Sequence, residues 1–159
     1  MINSGDRRAN DVYVRLENDI DLGGKEWTPI GYKRVYAFSG IFDGNGYTIS
    51  NFKAGSAESL GTVNYKYYGL FGYLGSNAVV RNLKVRTSIG ISDSVASSGR
   101  HSNGIYAGAV AGYALDALVK DVDVAAEIGI NVLATYEICA GAIVGKADGF
   151  NLDDIKAKL

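Results

Sequence analysis

The sequence predicts an all-β solenoid of about four to five stacked coils, and three observations carry the prediction. Four segments align around a polar hinge: TISNFKA (48–54), VVRNLKV (79–85), LVKDVDV (118–124) and NLDDIKA (151–157). A second element, GLFG (69–72), AVAG (109–112) and AIVG (142–145), stands nine or ten residues before each of the last three hinges. Twenty-one Gly against a single Pro, with eleven Tyr, favour strands joined by tight turns. Units that recur in this way bury against their neighbours the apolar surface that none can bury alone.

Early in the chain, Asp19 and Asp21 alternate with Ile20 and Leu22 as on an outward-facing strand edge. Next comes FSGIFDGNGYTISNF (38–52). Its Asp-Gly-Asn-Gly accepts the positive φ of a tight turn and invites a β-hairpin, but a hairpin gives no reason for the repeats that follow. The DGNG stretch is therefore expected to be a local turn.

The hinge residues are Asn51, Asn82, Asp121 and Asp154, spaced 31, 39 and 33 apart. Each is preceded by a polar residue (Ser50, Arg81, Lys120, Asp153) and, before that, an apolar one (Ile49, Val80, Val119, Leu152). Phe52, Leu83, Val122 and Ile155 follow. This is a strand period of two broken once, and Asn and Asp supply the left-handed residue that a bend requires. The four hinges are expected to stack, one per coil, with both apolar columns facing inward. TSIGIS (87–92) also matches AEIGIN (126–131) after a shift of 39. The tail NLDDIKAKL could start a helix, yet its match to the earlier hinges predicts strand, bend and strand. No recognisable cap follows Asp154, so residues 1–159 are expected to form one repeat domain that is a fragment of a longer chain, its partners including neighbouring repeats.

Sixteen Lys and Arg nearly cancel seventeen Asp and Glu, and no basic stripe is present, so nothing points to nucleic acid. No run of apolar residues is long enough for a membrane-spanning helix, and no membrane insertion is expected. The beginning MINSGDRRAND holds no apolar signal segment. Cys139 cannot form an internal disulfide, and in ICAGAIV it reads as a small buried hydrophobe.

Candidate chemistry is sparse, and no cofactor or metal is expected. His101 stands in the polar loop SSGRHSNG beside Ser97, Ser98 and Ser102, without the fixed base and orienting group of a triad. Asp19 with Asp21, and Asp121 with Asp123, have the strand spacing that glycosidic or Ca²⁺ chemistry could use. Turn chemistry explains Asp121, and an outward edge explains the other pair. DGNG and GYLGS precede no helix that could cradle phosphate. Aromatic residues are the better binding candidates. Tyr65 and Tyr67 in VNYKYYGLFGY (63–73), with Trp27 in the WTPIG turn, offer flat apolar faces to a glycan or protein partner. The competing reading is ring stacking between coils.

YVRLENDIDLGGKEWTPIG (13–31), FSGIFDGNGYTISNF and YYGLFGYLGSNAVVRNLKV (67–85) resemble the GLUG-motif repeats of bacterial surface proteins, over about residues 13–145. GLFG fits the motif best, whereas AVAG and AIVG lack its Leu. The resemblance implies a right-handed parallel β-helix of the pectin-lyase kind. It further implies an extracellular or cell-surface location and a structural or adhesive role without an active site. A polysaccharide-active β-helix enzyme, a lyase or glycoside hydrolase, is the alternative. It would need clustered Asp, Lys or Arg on one outward column, plus a groove; the outward hinge column here, Lys53, Lys84, Asp123 and Lys156, reads as a mixed solvated face rather than paired acids.

Overall fold

In a computed structural model of the chain, residues 12–54, 67–92, 104–131 and 137–158 are described. They are all-β, with parallel sheets throughout and no α-helix among them; one 3-10 turn spans Arg34–Tyr36. The strands are β1 (Tyr13–Arg15), β2 (Ile20–Asp21), β3 (Ile41–Asp43), β4 (Thr48–Ala54), β5 (Tyr67–Tyr68), β6 (Phe71–Leu74) and β7 (Val79–Ser92). They continue with β8 (Ile105–Gly108), β9 (Ala111–Leu115), β10 (Leu118–Asn131), β11 (Ile138–Gly141), β12 (Val144–Asp148) and β13 (Asn151–Lys158). A seven-stranded sheet runs β1-β3-β7-β10-β13, with β2 on β4 and β4 on β7. One small sheet is β11-β8-β5 and another is β12-β9-β6. The chain thus visits the three sheets in the same order three times: β5, β6, β7, then β8, β9, β10, then β11, β12, β13.

The shift of 39 between TSIGIS and AEIGIN is the register itself, since β7 pairs with β10 from Val79↔Leu118 to Ser92↔Asn131. Each long strand bends once, at a left-handed residue: Asn82 (φ 52°) in β7, Asp121 (φ 51°) in β10 and Asp154 (φ 43°) in β13. Registers Arg81↔Lys120↔Asp153 and Leu83↔Val122↔Ile155 on either side place these three at one corner. The tail is accordingly strand, bend and strand.

Asn51 does not join them. It is left-handed (φ 57°), but Ile49 pairs with Val85 and Phe52 with Thr87, so it lies beyond the corner that Asn82 occupies. At that corner the preceding passage has the Gly44–Tyr47 turn, where Asn45 is left-handed (φ 52°) and the Gly46 N–H donates to Asn82 O (2.7 Å). The reason is length. Between Asp43↔Arg81 and Thr48↔Lys84 the turn inserts four residues where β7 has two. DGNG is thus a turn, as expected, and β3 and β4 lie not on each other but one after the other along β7.

The apolar columns follow. Phe42, Val80 and Val119 stack inside, and Leu83 and Val122 stand beside them, all buried. Ile49 and Phe52 are also buried, but in the columns of Val85 and Thr87 rather than those of Val80 and Leu83. Leu152, in the column of Val80 and Val119, is 54% exposed, because among the described strands β13 has a neighbour on one side only. Phe71 anchors the centre, 5.1 Å from the Phe38 ring and edge-on to Phe42 at 5.3 Å.

The GLFG-type element joins the small sheets. Leu70, Val110 and Ile143 point into the core. The closing glycines Gly72, Gly112 and Gly145 face backbone at close range: a Cβ on Gly112 would lie 2.7 Å from Tyr106 O, and one on Gly145 2.5 Å from Ala107 N. Only glycine allows that approach.

Candidate functional site

The residues bearing chemistry gather in two places. The first is the corner of the three hinges. An open groove of about 440 Å³ runs along it, lined by Asn45, Asn82, Asp121 and Asp154 with Lys84 and Lys156. Beneath its upper end lies Asp43, the buried charged residue of the described core. Arg81 Nε donates to Asp43 Oδ2 (2.9 Å), while Asn82 Nδ2 (3.0 Å) and the Asn45 N–H (2.9 Å) donate to Oδ1. Burial works against this carboxylate, but the donors and the guanidinium charge together lower its pKa. Arg86 Nη2 donates to Asp123 Oδ2 at 3.1 Å, and Lys120 Nζ lies 3.5 Å from Asp121 Oδ2. Asp43, Asp121 and Asp123 are therefore held by cations at separate points.

The second place is an array of four tyrosines across the two small sheets, Tyr73 and Tyr106 buried, Tyr67 and Tyr113 half-buried. Tyr67 on β5 pairs in register with Tyr106 on β8, and Tyr73 on β6 with Tyr113 on β9. Rings stack along the direction of strand pairing, Tyr67 on Tyr106 at 5.6 Å and Tyr73 on Tyr113 at 4.8 Å. Across the two sheets they meet edge to face, Tyr67 with Tyr73 at 5.3 Å and Tyr106 with Tyr113 at 5.9 Å. In the last passage the same positions are Cys139 and Lys146. Lys146 Nζ sits 5.5 Å from the Tyr106 ring centre and donates to both Glu137 oxygens (2.8 and 3.1 Å). The Tyr106 hydroxyl also donates to Glu137 (2.7 Å), and that of Tyr113 to the Asp148 carboxylate. The hydrogen bond to Glu137, with burial, pushes the Tyr106 phenol up to about 12. Lys146 and Tyr106 together hold Glu137 down at about 2.

Tyr67 is half-buried in this array, one face stacked on Tyr106. Trp27 is half-buried too; its Nε1 donates to Leu70 O (2.9 Å), its ring lies 6.3 Å from Phe52, and it packs against the core. Tyr65 and His101 lie outside the described residues. Asp19 and Asp21 are exposed, each accepting a backbone N–H: Thr48 on Asp19 (2.7 Å) and Gly23 on Asp21 (2.8 Å). Cys139 is not a core residue. It stands half-buried at a position of the tyrosine array, its thiol directed at Glu137 Oε1 (3.6 Å) and its pKa raised by burial and by that carboxylate. No three His, Cys, Asp or Glu among the described residues are grouped to hold a metal.

Ring stacking between coils, the competing reading for Tyr67, is what the structure holds; its partners Tyr73, Tyr106 and Tyr113, and the role of Asp43, were not singled out from the sequence. The signal for the array was present: GLFGY (69–73) and AVAGY (109–113) each close on Tyr. Asp43, the first residue of DGNG, showed only its local turn role with Asn45, because its other partners Arg81 and Asn82 stand 38 and 39 residues away.

No family model matches the chain, and no solved structure matches it. A protein of Evansella cellulosilytica named "Putative Gly-rich membrane protein" is 38% identical over 79 residues, 46% of this chain and 8% of that relative. The chain thus corresponds to a small part of the relative's length. No helix among the described residues is long and apolar enough to cross a membrane.

Proposed function

We propose that the chain is a right-handed parallel β-helix serving as a non-catalytic repeat module of a bacterial cell-surface or secreted protein, structural or adhesive in role. The observation that carries this reading is the threefold visit to three parallel sheets in constant order, with left-handed Asn82, Asp121 and Asp154 in register. A right-handed path suits parallel strands that carry the usual right-handed twist. The relative of much greater length, named as a membrane protein, fits a module within a large envelope protein.

The adhesive face is the tyrosine side. There the 3-10 turn lifts Val35 into solvent, 81% exposed, between Arg34 and the half-buried Tyr36. Tyr67 borders the same region, and Tyr65 precedes it in the chain. The stacked rings hide their faces from a sugar, so a ligand would meet ring edges and the projecting turn, a surface better suited to a protein than to a glycan. An array of proteins and glycans probed with the chain tests this. Binding that survives Val35→Asp and Tyr67→Ala in folded variants overturns the assignment.

The groove along the hinges favours a second reading, a polysaccharide-active enzyme, because it brings Asp121, Asp154, Lys84 and Lys156 to one cleft. Incubation with polyuronides and neutral glycans separates the two. Turnover abolished by Asp121→Asn or Asp123→Asn establishes the enzyme; no turnover on any of them supports the module.

A further inference from the structure

The structure assigns Tyr73 and Tyr113 as a site of intramolecular dityrosine formation by one-electron oxidants, a covalent tie between β6 and β9. Two independent observations carry it. The first is ring geometry. Tyr73 and Tyr113 stand in register on neighbouring parallel strands, ring centres 4.8 Å apart and planes within 15°, so like carbons of the two rings lie over one another. Tyr67 with Tyr106 is looser, at 5.6 Å and 18°. The other contacts of the array are edge to face, at 72–87°, and the Tyr32–Tyr36 pair is tilted by 53°, which turns the coupling carbons apart. The second observation is a path for the proton. The Tyr113 hydroxyl donates to the Asp148 carboxylate and that of Tyr106 to Glu137, so each phenol has a base at hand when an electron leaves its ring.

The oxidant is of the kind that takes single electrons at a protein surface, a ferryl haem or a ruthenium(III) complex, and it meets the array at the half-buried Tyr113. One electron leaves the Tyr113 ring as the hydroxyl proton passes to Asp148, giving a phenoxyl radical. That radical draws an electron from the buried Tyr73 across the stack; Tyr113 regains its proton from Asp148, and Tyr73 gives up its own to water. A second equivalent of oxidant then takes the next electron from Tyr113. The two radicals join through ring carbons ortho to oxygen. A C–C bond forms, and the hydrogens on those carbons move to the oxygens as aromaticity returns. In all, the chain loses two electrons and two protons, and two equivalents of oxidant are reduced. The pair lies inside the stack: β9 is flanked by β12, and Phe38 bridges to Leu74 of β6. The reaction is therefore independent of what adjoins either end of the chain.

Photo-oxidation of the dilute 159-residue chain tests this, with ruthenium tris-bipyridine, light, and persulfate as the terminal electron acceptor. Trypsin then releases residues 67–81 and 101–120. The expected product is these two fragments joined, two hydrogens lighter than their sum, with fragment-ion sequencing placing the link at Tyr73 and Tyr113. Tyr73→Phe and Tyr113→Phe should each abolish that link. Asp148→Asn, which removes the proton acceptor, should slow its appearance about tenfold or more. In urea strong enough to unfold the chain, coupling should scatter over other tyrosines. The mapping is made on the wild-type chain, so it stands even where a variant fails to fold. A link at Tyr67 and Tyr106 instead, tyrosines joined only between chains, or the same pair formed equally well in urea overturns the assignment. So does a folded chain in which no tyrosines couple.

Discussion

Arg81 and Asp43 meet across adjacent strands of the long sheet, Arg81 Nε donating to Asp43 Oδ2 at 2.9 Å, and this contact ties the hinge corner to the core. Asp43→Ala leaves the Asn82 amide, the Asn45 N–H and the guanidinium without their acceptor. Stability measured by urea unfolding should fall by about 2–4 kcal/mol. Arg81→Ala should cost less, because the Arg81 side chain is 37% exposed and the Asn82 amide, the Asn45 N–H and the Tyr13 hydroxyl still donate to the carboxylate.

Asp121 tests the corner itself. At φ 51° a branched side chain is strained, so Asp121→Val should cost about 1–2 kcal/mol. Asp121→Asn and Asp121→Gly should stay within about 1 kcal/mol of the parent, Asn because it tolerates this conformation and Gly because it has no Cβ. Equal losses for all three in thermal unfolding would show that the bend does not govern the effect.

Two leucines beside hinges, Leu83 just after that of β7 and Leu152 two residues before that of β13, should respond differently. Leu83 is 1% exposed, and Leu83→Ala should cost about 2–5 kcal/mol. Leu152 is 54% exposed, and Leu152→Ala should fall within about 0.5 kcal/mol when measured on dilute chain.

Gly112→Ala would force a methyl against Tyr106 O and Tyr68 N, both 2.7 Å from the ideal Cβ position. Backbone cannot retreat as a side-chain end can, so the loss should reach about 1–3 kcal/mol. Gly90→Ala, with nothing within 4 Å, should be close to neutral by the same denaturant assay.

Glu137 gives the chain an acid dependence. Its carboxylate is held at about 2, against an ordinary 4.5, so the folded state binds fewer protons than the unfolded state over that interval. Its contribution is present above about 4.5 and is lost as pH falls toward about 2. Glu137→Gln should flatten that part of the profile of urea midpoint against pH. Tyr106 has the opposite sense: with its phenol raised from 10 to about 12, its share of stability is kept below 10 and lost as pH rises through 12. Absorbance titration of tyrosinate, wild type against Tyr106→Phe, should lose one late-titrating group.

Much of the backbone could be read from the residues, because a hinge is a local demand. Asn82, Asp121 and Asp154 each need left-handed φ, and spacings of 39 and 33 keep them aligned when every passage turns that corner with one hinge residue. Asn51 satisfies the same local demand, and nothing within its heptapeptide distinguishes one corner from another. Its misplacement came from the two extra residues of the Gly44–Tyr47 turn, which alter register without altering local pattern. The tyrosine array was half legible. Its members repeat with the GLFG-type element, but their contacts depend on two sheets meeting at glycine. Which acids would be held, and by what, was not legible, since Asp43 and Asp123 find their cations 38 and 37 residues away.

The pairing order of the long sheet also governs how the molecule opens. Strand β7 is bonded along both flanks, to β3 and β4 on one side and β10 on the other, whereas β13 is bonded along one. Loss of β13 exposes β10 but breaks no bond of β7, so opening proceeds from the edge like peeling a ply from a laminate. Among the described strands of residues 79–158, amide hydrogens of β13 should exchange with solvent deuterium first and those of β7 last; equal uptake in β7 and β13 would show that the sheet opens as one unit. Deuterium uptake along residues 79–158 then measures the adhesion between neighbouring strands one layer at a time.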